Sequence, residues 1–306
     1  MKRHQQTTAW SSRSLASAFA HNIFYYAIRI GGRSIAYFML CFVVFFYTCL
    51  PAVRQRSSHY RLRRFGPRSF LGGFRDCFAL QMEFGKMLVD RAVMGILGDF
   101  TMSATPEDIQ GLTNVMNRGR GMIVITGHVG CWQLGMAGLD FLDAPKGVVM
   151  YRDEQDVDKQ YFEHDGKPER PPFTIIDPRA EMGGTLEMMN ILKKGGILCV
   201  SGDRNFGSPR GITSVDFMGG VIDVPMSAYK LASAMNVPMV VTFSHRTGPG
   251  RGRIWISRII DVPEDLGRST DAYRPYAQQF ADGLGEFVTA HPFQFYNFFN
   301  MWKDNE

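Results

Sequence analysis

Residues 122–133 read MIVITGHVGCWQ, an apolar, β-branched run that stops abruptly at Gly127 and His128. A short hydrophobic stretch of this kind, bounded by glycine, is the pattern of a strand covered on both faces, as in a parallel sheet. A helix-like segment, Trp132 to Leu142, follows the turn. Ligands in strand-turn-helix sheets bind beyond the carboxyl ends of the strands, and His128 falls there. The flanking glycines leave a bare backbone that lets a substrate approach, with the imidazole available for proton transfer. A turn histidine that bonds only locally is the competing reading.

The rest of the chain extends this unit. Strands are predicted at Gly147–Tyr151, Phe173–Ile176, Ile197–Ser201, Pro238–His245 and Arg253–Ile260, separated by helices near Ala180–Lys194 and Pro225–Met235. Upstream, Phe74–Leu97 has helical periodicity. Thr105 with Pro106 reads as an N-cap and first helical position, opening a helix that ends near Arg118-Gly-Arg-Gly121. The alternation predicts an α/β fold: a mixed, mostly parallel sheet flanked by helices.

The first quarter is of another character. Residues 1–75 carry twelve Lys or Arg and no Asp or Glu, so the remainder holds 22 basic against 29 acidic residues, a balance of −7. Within this basic segment Ser34 to Val53 runs 20 residues without a charge, ~30 Å as a helix and close to the hydrocarbon thickness of a bilayer. Aromatic residues and arginines cluster at both flanks, as interfacial anchors do. The run starts too late and is too long for a cleaved signal peptide. Arg54, Arg56, Arg61, Arg63 and Arg64 outnumber Arg29 and Arg33, so the positive-inside bias puts the following domain in the cytoplasm. The expected organisation is a basic N-terminal membrane anchor over 1–75, with its helix at about 34–53, and a catalytic domain over 76–306. A helix lying in the interface is the other arrangement these residues allow.

Composition removes several classes. Five scattered cysteines without a CxxC pair argue against a disulfide framework and a tetrahedral zinc site, and no nucleotide fingerprint appears, so no metal and no bound cofactor are expected. The pI near 9.0 arises from the anchor, so anionic lipid, not nucleic acid, is the partner it suggests. Gly207-Ser-Pro-Arg-Gly211 lacks the Walker pattern and reads as a loop. The aromatic stretch Phe293–Trp302 fits packing or lipid contact, and Met182, Met188, Met189, Met218 and Met226 fit the core or an adaptable acyl pocket.

Gly127-His128, followed by Gly130, Trp132 and Gln133, resembles the H-x4-D/E motif of the glycerolipid acyltransferase superfamily, in particular its branch of late lipid A acyltransferases. Other segments agree in order: Met150-Tyr-Arg152, Ser201-Gly-Asp203-Arg204, Val224-Pro225 through Pro238, and the terminal His291-Pro-Phe-Gln-Phe-Tyr296 with Trp302-Lys303. The resemblance covers nearly the whole chain.

It implies acyl transfer from a thioester, acyl-ACP or acyl-CoA, to a hydroxyl or amine of a membrane lipid or glycolipid at the cytoplasmic face of a bacterial inner membrane. Acyl carrier protein and membrane lipids would be the partners. His128 would be the general base, the Gly130 turn amides or Arg204 the oxyanion donors, and Arg152 and Arg204 the phosphate or head-group contacts. Trp132 and Asp203 would join the substrate-binding set. In one respect the chain departs from the motif: Gln133 stands where the family has a carboxylate. Its amide oxygen can orient an imidazole N–H but supplies no charge, and amide-for-acid replacement in a Ser-His-Asp system lowers turnover by ~10⁴. A catalytically silent, lipid-binding relative is therefore the alternative, unless Asp203 or Asp140 folds against His128.

Overall fold

The computed structural model describes residues 18–151, 159–164, 173–204 and 211–303. Arg152 and most of the 207–211 loop lie outside these residues.

The N-terminal helix α1 (Ala18–Cys49) begins earlier and ends earlier than the uncharged stretch predicts. It is long and apolar enough to cross a membrane. Gly32, at φ 62°, kinks it, a conformation open to glycine because it lacks a Cβ. Pro51 ends it: Leu50 is extended, as the residue before proline tends to be, and Pro51 starts α2 (Pro51–Arg56). Then come α3 (Ser58–Phe65) and the long α4 (Phe70–Leu97), whose N-cap Ser69 accepts from Gly72 N and which closes on a left-handed Gly98.

Helix α1 lies along α4. Ile28, Ala36, Leu40 and Val44 pack with Met82, Val89, Ala92 and Val93, while Phe38, Phe42, Phe45 and Phe46 are exposed. A Cβ on Gly85 would come within 2.6 Å of Leu40 Cδ1, so a larger residue there would require the Leu40 side chain to shift. The helices are also joined by charge. Asp90, fully buried, accepts from Arg33 Nε at 2.8 Å and Tyr37 Oη at 2.6 Å on one oxygen, and from Arg246 Nε at 2.7 Å on the other.

The sheet combines β1 (Thr101–Ser103), β2 (Met122–Thr126), β3 (Lys146–Val149), β4 (Thr174–Ile176), β5 (Ile197–Ser201), β8 (Met239–Gly248) and β9 (Arg251–Ile260) in the order β1-β9-β8-β2-β5-β3-β4. Every neighbouring pair is parallel except β8 and β9. Side chains alternate across it. Ile123, Ile125, Leu198 and Val241 face a core shared with α7 (Ser227–Met235) and α8 (Thr270–Ala290). Met122, Val124, Ile197, Cys199 and Val240 face a second core with α5 (Pro106–Met116). Helix α6 (Thr185–Lys193) precedes β5.

Several elements differ from the sequence reading, the short edge strand β1 among them. The helix-like segment expected over Trp132–Leu142 is a 3-10 helix over Trp132–Leu139; it contains Gly135 and Gly138, and a Cβ on the latter would stand 2.7 Å from Met102. A separate hairpin, β6 (Ile212–Phe217) and β7 (Gly220–Pro225), turns at Met218 and Gly219, both at positive φ as a primed hairpin turn requires. Helix α8 was likewise not expected.

Removing the Asp90 carboxylate takes from Arg246 and Arg33 one of the two carboxylates that each contacts, leaving the buried Arg246 with Glu83 and Arg33 with Asp99. Asp90→Ala is expected to cost about 3–5 kcal/mol and to loosen α1, read as a lower thermal midpoint and faster proteolysis near Leu50–Ser57. An unchanged midpoint would show that the cluster contributes no stability.

Candidate active site

The register of two parallel strands assembles the site. Thr126 at the end of β2 pairs with Ser201 at the end of β5, so the residues two beyond each, His128 and Asp203, emerge side by side. Asp203 grips His128 twice: Oδ2 accepts from the backbone N at 3.0 Å, and Oδ1 lies 2.8 Å from Nδ1. A carboxylate only accepts, so the imidazole proton sits on Nδ1 and the lone pair on Nε2.

Gly130 makes the turn possible. It has φ +50°, and a Cβ there would lie 1.8 Å from the Ser244 carbonyl oxygen. The C-terminal segment closes over the turn: Val129 bridges Phe295, Gly130 N donates to Gln294 O at 2.8 Å, and Tyr296 N donates to His128 O at 3.0 Å. Val129 N, Cys131 N and Trp132 N donate to Gly127 O, Ser244 O and Val129 O. The turn amides expected to face a developing oxyanion are thus engaged within the fold.

Three of the other expected residues line one cavity with His128. Trp132 packs between His128 and Tyr296, with ring centroids 5.3 and 5.6 Å away. Arg204 donates to the Tyr296 carbonyl at 2.9 Å, and its guanidinium lies over the Phe299 ring. Gln133 turns from the imidazole: its Oε1 accepts from Arg91 Nη1 at 2.7 Å. Asp203 takes the place at Nδ1 that the motif assigns to residue 133, whereas Asp140 is exposed beyond the 3-10 segment.

Burial sets the electrostatics. It pushes the His128 pKa below the ordinary value, helped by the Arg204 charge and opposed by Asp203. Burial alone would raise the Asp203 carboxyl, but His128 and Arg204 outweigh it and bring it down to about 2. Arg204 is lowered to about 10 by burial against the pull of Asp203 and stays charged near neutrality. A neutral imidazole beside an ionised carboxylate is suited to take a proton. The Cys131 thiol, fully buried, is pushed up to about 12, which disqualifies it as a nucleophile at neutral pH.

The cavity, about 1840 Å³, runs from Phe24 and Ile28 of α1 past His128 to Val124, Phe173 and Cys199 on the α5 side of the sheet. That exceeds the ~300–1,000 Å³ typical of small-molecule sites and leaves room for a long apolar chain. Its lining methionines are Met136, Met150 and Met301, not the five that sequence suggested. Of those five, Met226 is buried in the core, Met188, Met189 and Met218 pack against it, and Met182 is exposed. From the aromatic stretch, Tyr296, Phe298, Phe299 and Trp302 line the cavity. Among the described residues, no group of His, Cys and carboxylates could hold a metal ion. Arg91, outside every motif that sequence singled out, holds Gln133, and Gln294, named only as part of the terminal block, holds the Gly130 turn; only tertiary contact gives either its role.

A family profile described as bacterial lipid A biosynthesis acyltransferase matches residues 82–304. Among solved structures, the chain is similar to the 1-acyl-sn-glycerophosphate (LPA) acyltransferase PlsC from Thermotoga maritima, at 13% identity over 84% of this chain and 98% of that one, with a TM-score of 0.39. No curated protein matches the chain.

In the intact protein, with histidines isotopically labelled, the His128 imidazole is expected to titrate below 6.5 by NMR. In Asp203→Asn, which removes the groups that favour the proton, the midpoint should move lower still. A midpoint above 6.5 in the wild type would refute the burial argument.

Proposed function

Since the chain belongs to the bacterial lipid A biosynthesis acyltransferase family, we propose that it moves a fatty acyl chain from acyl-ACP or acyl-CoA to a hydroxyl or amine of a lipid A-like glycolipid or other membrane lipid, with His128 as general base. The observation that carries this reading is the doubly bonded His128–Asp203 pair, with His128 lining a large, mostly apolar cavity. Nε2 of His128 takes the acceptor proton as oxygen or nitrogen attacks the thioester carbonyl, a role typically contributing ~10²–10⁴ in rate. Asp203 keeps the proton on Nδ1 and stabilises the imidazolium that forms. The cavity accepts the acyl chain, and Trp132 and Arg204 contact the reacting ends. Arg152, matching the second motif, is proposed as a head-group contact.

Helix α1, with its exposed phenylalanines, would hold the catalytic domain at the membrane, and the arginines that follow it support the cytoplasmic face of an inner membrane. The reading as a silent relative rested on the missing acid at position 133. Asp203 supplies a carboxylate to the same imidazole nitrogen, which favours an active enzyme.

The test is transfer of label from radiolabelled acyl-ACP and acyl-CoA into a total bacterial lipid extract by membranes containing the full chain. His128→Ala should reduce transfer to background. Asp203→Asn should lower kcat by ~10⁴ and shift the acid limb of the pH profile, below 6.5 in the wild type, further toward acid. Transfer that survives His128→Ala, or none by the wild type with either donor, would sink the proposal.

A further inference from the structure

The Gly130 turn amides are engaged within the fold, so a developing oxyanion beside His128 needs another donor. Gln133 lines the same cavity and is held in place at its amide oxygen. Its Oε1 accepts from Nη1 of the buried Arg91 at 2.7 Å. Arginine only donates, so the amide oxygen must be the atom facing it, and the amide orientation is fixed without ambiguity. Nε2, with both hydrogens, therefore points away from Arg91. It has no hydrogen-bond partner among the described residues, and Gln133 lines the cavity that holds His128 and Trp132.

Accordingly, we propose that Gln133 is a catalytic residue whose Nε2 donates to the thioester oxyanion, with Arg91 as the positioning residue that aims it. The assignment rests on the acyltransferase reading above. As the acceptor's O–H or N–H proton passes to His128 Nε2, the acceptor heteroatom bonds to the thioester carbon. The carbonyl π pair moves onto its oxygen and is held by Gln133 Nε2. The oxyanion then collapses, the C–S bond breaks, and the sulfur leaves with the proton returned by the imidazolium. The other donors at hand are less prepared: Arg204 is turned toward the Tyr296 carbonyl and Phe299, and Trp132 is packed between two rings. Preorganised donors are the ones that lower a barrier, because they need not reorganise as charge develops. The amide at position 133 is then a change of role: with Asp203 serving the imidazole, residue 133 is released to donate.

The experiment compares wild type, Gln133→Glu and Gln133→Ala in the assay above, with kcat and KM for the acyl donor measured separately. Glutamate still accepts from Arg91, so its thermal midpoint should not fall below that of the wild type, but it places negative charge where the oxyanion forms. The expected result is a kcat lower by ~10²–10³ in Gln133→Ala and by at least as much in Gln133→Glu, with KM little changed. Wild-type or faster transfer by Gln133→Glu would overturn the donor assignment while leaving the His128–Asp203 reading intact, and so would a change confined to KM. Absence of transfer by the wild type would instead overturn that reading, and this assignment with it.

Discussion

Asp203 binds the backbone and the imidazole of His128 at once, and the pairing of β2 with β5 makes that possible. Two parallel strands in register deliver a turn residue from each to the same place, whatever the sequence distance between them. A slip of one residue would reverse the facing of every side chain on one strand and carry the carboxylate away. Burial then gives the contact its chemical value: it keeps the imidazole neutral while the shared proton holds the carboxyl ionised.

The turn that carries His128 is fixed from above as well. Gln294 accepts from Gly130 N through its carbonyl, and its side-chain amide both accepts from Arg246 N and donates to Arg246 O. The Arg246 guanidinium reaches Asp90, Glu83 and Tyr37. A chain of hydrogen bonds thus runs from α1 through α4 and β8 to the turn that carries His128, joining the long apolar helix with the candidate site. Buried ion clusters of this kind add little net stability over an apolar packing, yet they tolerate the loss of a member poorly, which suits a role in fixing geometry.

Some elements that escaped the sequence reading had local signals. The Met218-Gly219 turn lies between alternating runs, and Tyr273, Ala277, Phe280, Leu284 and Phe287 recur at helical spacing, all buried in α8. The 3-10 form of Trp132–Leu139 had less to announce it along the chain; Gly138 there lies close to Met102 of β1, a contact between distant segments.

By itself the sequence determined the α/β class, the parallel character of the sheet, the apolar basic N-terminal segment and the placement of His128 past a buried strand. Hydrophobic period, glycine punctuation and charge blocks are local properties, legible along the chain. Only the tertiary structure decided that Asp203 serves the imidazole, that Gln133 is held by Arg91, that the Gly130 amides are engaged within the fold, and that α1 is tied to the domain through Asp90. Each of these is a choice of partner, set by strand register and close packing among residues tens to hundreds of positions apart, and no local pattern encodes it.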